Sequence, residues 1–162
     1  MVNDFSFEEM IPTLKQKLED GGEVTFTVTG NSMLPLLRHK RDTVTLTAAK
    51  APLKKYDIPF YCRADGKYIL HRIIKVKDGE YIARGDNCTF IETGITDKDI
   101  IGVVTAFTRK GKQKSVKSLG YRMYSCLWAN NFSYFMRKKV FLRLRAMGGK
   151  VKRKLFSLFR KG

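Results

Sequence analysis

A mostly antiparallel β fold, with a short helix in front and a basic helical segment behind, is what this sequence predicts. Three observations carry that expectation. Apolar residues alternate at a period of two in Val24, Phe26, Val28 and again in Val44, Leu46, as half-buried strands require. Two Asp-Gly pairs, Asp65-Gly66 and Asp78-Gly79, stand between alternating runs and read as hairpin turns. There is no strand-helix-strand alternation, no glycine-rich phosphate loop and no repeat at a fixed period, so a doubly wound or solenoid architecture is excluded.

The elements follow in order. Leu14 and Leu18 fall four apart with Met10 and Ile11 one turn earlier, which predicts an amphipathic helix over residues 7–18, stopped by Gly21-Gly22 and covering one face of the sheet. Acids at Asp4, Glu8 and Glu9 and the want of an uninterrupted apolar stretch argue against a secretory leader or membrane anchor here. Residues 30–42 read as a loop held up between strands. Further strands are predicted over residues 42–47, 57–63, 68–76, 81–83 and 100–108. Beyond residue 110 the pattern becomes helical: Phe132, Phe135, Met136, Val140, Leu144 and Met147 recur at steps of three and four among cations, and Leu155, Leu158 and Phe159 repeat this over residues 151–159.

Charge divides the chain in the same place. Residues 1–108 carry 15 Lys/Arg and 15 Asp/Glu, whereas residues 109–162 carry 17 Lys/Arg and no acid, which accounts for the net +17. The expected organisation is therefore a neutral β-rich domain over residues 1–110 and a basic amphipathic helical tail over residues 111–162. Such a tail fits an anionic membrane surface, apolar side chains inward and lysines at the phosphates, with nucleic acid as the less favoured partner. Its longest uncharged run, residues 123–136, is too short and too polar to span a bilayer, so a peripheral position on the cytoplasmic side is expected. The three cysteines, Cys62, Cys88 and Cys126, are odd in number and lack metal-ligand spacing; they read as free thiols, and neither a metal nor a cofactor is expected.

The chemistry centres on residues 30–35, Gly-Asn-Ser-Met-Leu-Pro. Gly30 lets the chain turn, Met33 can wall the serine with apolar surface, and Pro35 prevents continuation as a central strand. Ser32 is thereby displayed. With Leu70-His71-Arg72-Ile73, Arg84-Gly85-Asp86-Asn87 and Ile101-Gly102-Val103-Val104 following in that order, the chain resembles the signal peptidase I family, and more closely its endoplasmic-reticulum and archaeal branch, in which a histidine replaces the usual lysine base. The resemblance covers about residues 25–107. It implies a coiled antiparallel sheet or partly open barrel, Ser32 as nucleophile and His71 as general base. Asp86 is the first candidate to orient His71, with Glu92 in reserve, because this chain has a glutamate where that branch often has its second acid. The Ser32 amide is expected to serve the oxyanion, Gly30, Asn31, Met33 and Pro35 to shape the substrate side, and an extended peptide to pair along residues 25–30. A serine hydroxyl needs a base, and a neutral imidazole supplies one near neutral pH.

The expected activity is a serine endopeptidase that cleaves a peptide or leader precursor, with a membrane-anchored partner subunit as a possible source of the anchor this chain does not show. The competing reading is a binding module with the same fold and no turnover, whose cationic tail holds nucleic acid or anionic lipid. Read alone, Ser32 is a turn residue, His71 a packed sheet histidine, Asp86-Asn87 a turn, and His39, between Arg38 and Lys40, a solvated loop residue.

Overall fold

The computed structural model describes residues 9–129. A helix, α1 (Ile11–Glu19), leads into nine strands: β1 (Val24–Thr27), β2 (Thr43–Thr47), β3 (Pro59–Cys62), β4 (Tyr68–Leu70), β5 (Arg72–Lys77), β6 (Glu80–Arg84), β7 (Glu92–Ile95), β8 (Ile100–Arg109) and β9 (Lys112–Ser115). A second helix, α2 (Leu119–Ala129), closes the described chain. The larger sheet runs β1-β2-β8-β3-β4, with β9 also on β8, and curls into an antiparallel half-barrel; the smaller one runs β5-β6-β7.

Local chemistry explains most of this. Helix α1 carries Pro12 in its first turn, where a missing amide costs nothing, and buries Ile11, Leu14 and Leu18 along one stripe. Strand β2 alternates half-buried threonines with buried Val44 and Leu46. Strand β8 is long enough to pair with β2 and β3 and then, farther along, with β9. Register shifts at Thr45/Leu46 and Phe60/Tyr61 put an irregularity on each side of β8, and such bulges bend a sheet. The Asp78-Gly79 turn joins β5 to β6 with both residues at positive φ, as the sequence pattern predicts. Lys110-Gly111 does the same between β8 and β9.

Two apolar clusters result. One packs α1 against the curled sheet through Leu14, Leu18, Leu46, Phe60 and Val104; the other, between the sheets, holds Tyr61, Ile73, Tyr81, Ala83 and Ile95. Strand β3 serves both, because Phe60 and Tyr61 project to opposite faces.

Three expectations need adjustment. The helix predicted over residues 7–18 begins at Ile11. The strand predicted over residues 68–76 is two strands: Tyr68–Leu70 pairs with β3, Arg72–Lys77 pairs with β6, and the chain changes sheets at His71. Alternating hydrophobicity runs through the break without marking it, since both halves are strand. The boundary drawn at residue 110 falls inside the β8-β9 hairpin, and the compact unit continues through α2 to Ala129. The tail positions Phe132 to Met147 and Leu155 to Phe159 lie outside the described residues. Among those described, no helix is long and apolar enough to cross a membrane.

Candidate active site

The segment from Gly30 to Leu37 is a run of turns anchored by three buried side chains, Met33, Leu36 and Leu37. Its stem closes by backbone bonds from Val28 N–H to Asp42 O (3.0 Å) and Lys40 N–H to Val28 O (2.9 Å). Gly30 has φ +82°, a region other residues enter at a cost, and its N–H donates to His39 Nδ1 at 2.8 Å. His39 is therefore exposed but not idle: it pins the turn that carries Ser32. The Leu34-Pro35 peptide is cis. Pro35 is exposed and does not line the cleft beside Ser32, and Asn31 is exposed with its carbonyl accepting from Asn87 Nδ2 at 3.3 Å.

Ser32, half-buried, and His71 line one cleft of about 450 Å³. Phe26, Met33, Phe60, Tyr68 and Leu70 supply its apolar walls. Its two sides come from β1 with the turn after it and from β4 with His71, and β1 and β4 are the two ends of the main path of the curled sheet. The curl thus brings the serine turn and the histidine, 39 residues apart in sequence, to one opening.

A third segment locks them. Asn87 N–H donates to the Ser32 carbonyl at 2.7 Å, and a Cβ added at Gly85 would stand 2.7 Å from that carbonyl oxygen, 2.9 Å from His71 Nε2 and 2.7 Å from Cys88 Sγ. Ser32 O and His71 Nε2 therefore converge on one point, and only glycine fits there. A conformational reason for Gly85 is not needed, because its φ is ordinary and the space decides.

His71 is 3% exposed. Burial lowers its pKa below the usual 6.5, opposed by the negative charges of Glu92 and Asp86, so the imidazole is neutral at pH 7. Nε2 lies against Gly85, and Nδ1 faces the Glu92 carboxylate, Oε1 at 3.5 Å. Nδ1 has no hydrogen-bond partner, the one such buried side-chain atom among the described residues. Glu92 is itself oriented: Tyr61 O–H donates to Oε2 and Arg63 Nη1 to Oε1 at 3.3 Å. Desolvation and that carboxylate push the Tyr61 phenol far above its ordinary pKa, so it remains a donor.

Asp86, the first candidate for orienting His71, is engaged elsewhere. Its oxygens receive Arg72 Nε and Nη2, each at 2.8 Å, and Tyr124 O–H at 2.9 Å. The reason lies in the change of sheet: Arg72, the first residue of β5, is buried with Asp86, Tyr121 and Ser125, whereas His71 precedes that strand and lines the cleft. Glu92, entering on β7, arrives on the His71 side. Arg72 is fully buried and also donates Nη1 to Tyr121 Oη and Ser125 Oγ, both at 2.8 Å, while Trp128 Nε1 donates to Asp86 O at 3.0 Å.

Sequence reasoning missed Tyr61, Arg63, Gly85 and the inner face of α2. Tyr121, Tyr124 and Trp128 recur at helical steps and were legible as a face, but nothing local names Arg72 and Asp86 as what that face covers. No protein-family model, no curated protein and no solved structure matches this chain.

Proposed function

We propose that this protein is a serine endopeptidase of the signal peptidase type, acting on a peptide or leader precursor and held at an anionic membrane surface by its basic C-terminal segment. The observation that carries the reading is the convergence of the Ser32 carbonyl and His71 Nε2 on Gly85, beside a cleft of about 450 Å³ that Ser32 and His71 both line. His71 Nε2 takes the proton of the Ser32 hydroxyl as Oγ bonds to the substrate carbonyl carbon. The same nitrogen then delivers that proton to the departing amine as the peptide C–N bond breaks. A water activated by His71 hydrolyses the resulting ester and restores Ser32. Glu92 faces the Nδ1–H and stabilises the imidazolium that forms twice in this cycle; the 3.5 Å separation leaves room to tighten when substrate shuts out water. Asp86 holds the loop rather than the imidazole. The terminal strands β1 and β4 offer backbone edges to the substrate on either side of the cleft.

The test is cleavage of a candidate precursor followed by mass spectrometry. Ser32→Ala and His71→Ala should each lower the rate by at least about 10³-fold with the fold intact. Undiminished cleavage in both would leave a binding module with this fold.

A further inference from the structure

Helix α2 has two faces of opposite character. Inward, Tyr121 and Ser125 are buried and Tyr124 and Trp128 half-buried around Arg72 and Asp86. Outward, Leu119, Met123 and Leu127 are 72%, 58% and 67% exposed. Their spacing of four puts them in one stripe, and three large apolar side chains in a row are not the scattered exposure a soluble surface ordinarily shows. Every charged side chain after Asp99 is a cation, and the hairpin and turn leading into α2 expose Lys110, Lys112, Lys114 and Lys117, with Arg122 exposed on the helix itself.

We infer that the Leu119-Met123-Leu127 face is a docking surface for an anionic lipid bilayer, the three side chains entering the acyl boundary and the neighbouring cations meeting the phosphates. A bilayer uses both features at once. A nucleic acid would use the cations and leave the stripe wet, and a second copy would bring two cationic surfaces together. The inference names a surface on the folded body, distinct from the tail beyond residue 129. It stands on α2 alone and not on the hydrolase reading. Because the opposite face of this helix grips Asp86, whose neighbour Asn87 holds the Ser32 carbonyl, one rigid element sets the cleft's orientation over the membrane.

The experiment is flotation of the full chain with phosphatidylglycerol-containing vesicles, beside pure phosphatidylcholine vesicles and a DNA gel shift. It is run at low salt and at ~1 M salt, where the screening length falls to about 3 Å. Wild type should float with the anionic vesicles at low salt and stay partly bound at high salt. Leu119→Gln/Met123→Gln/Leu127→Gln should be retained at high salt at least about 10-fold less. Trp128, the single tryptophan, reports on the variant: unchanged emission shows that α2 is still seated on Asp86. Met123→Phe, which cannot fail by losing the stripe, should increase high-salt retention. Equal retention of wild type and the triple variant at high salt, or DNA binding without flotation, would overturn the proposal. Cleavage of a soluble peptide by the triple variant should match wild type, so failure of the docking surface is distinguishable from failure of the peptidase reading.

Discussion

At the scale of the residue, the site depends on an imidazole that is buried, neutral and lightly held. Burial depresses the His71 pKa, so the unfolded chain takes up the proton more readily than the folded one. The stability gained by keeping the ring neutral is present above pH 6.5 and is lost as the pH falls below it. Under the proposed mechanism the same depression sets the pH profile of cleavage. For a base that must be unprotonated, kcat/KM should rise through an acid limb lying below 6.5 and be flat at neutral pH. Glu92→Gln removes the carboxylate charge that raises the His71 pKa, so it should move that limb to still lower pH while reducing kcat at least about 10-fold. A pH profile of the variant with an unmoved limb would assign Glu92 a structural role only.

At the scale of the element, the decisive feature is the change of sheet at His71. Strand β4 leaves the curled sheet, β5 joins the smaller one, and adjacent side chains at the crossing face different surroundings: His71 toward the cleft and Glu92, Arg72 toward Asp86 and α2. Arg72 and Asp86 are both buried, so removing Arg72 takes two charge-assisted donors from a carboxylate held away from water. Arg72→Met should lower unfolding free energy by ~3–5 kcal/mol in a denaturant titration. Arg72→Met/Asp86→Asn should recover a sizeable part of that, since the loss comes more from a buried carboxylate deprived of its guanidinium than from the absent bonds. Because the Asp86 turn also carries Asn87, the single variant should weaken the hold on Ser32 as well.

At the scale of the molecule, the unit that folds runs past the β strands. Tyr121 packs in the main apolar cluster, its ring 5.6 Å from that of Phe107, and Tyr121 and Ser125 receive donors from Arg72. A chain ending after Ser118 should therefore be several kcal/mol less stable than one ending after Ala129, roughly a large core truncation plus unmet donors on a buried guanidinium. Parallel thermal melts of the two truncations and the full chain make the comparison. Equal destabilisation of both would mean that the compact unit includes residues beyond 129.

The resemblance, not local pattern, paired Ser32 with His71 as candidates; local pattern was enough to determine the β character, the helix α1, the Asp78-Gly79 hairpin and the serine turn. Each of these is written in the period of side chains along a short stretch, or in turn residues that restrict their own backbone. The tertiary structure alone decided which acid faces the histidine, where the strand through it breaks, what Gly85 makes room for, and that α2 belongs to the body. Those outcomes turn on which face a residue presents once two sheets and a helix have met, and a linear sequence carries the alternation of faces without saying what will stand opposite each one.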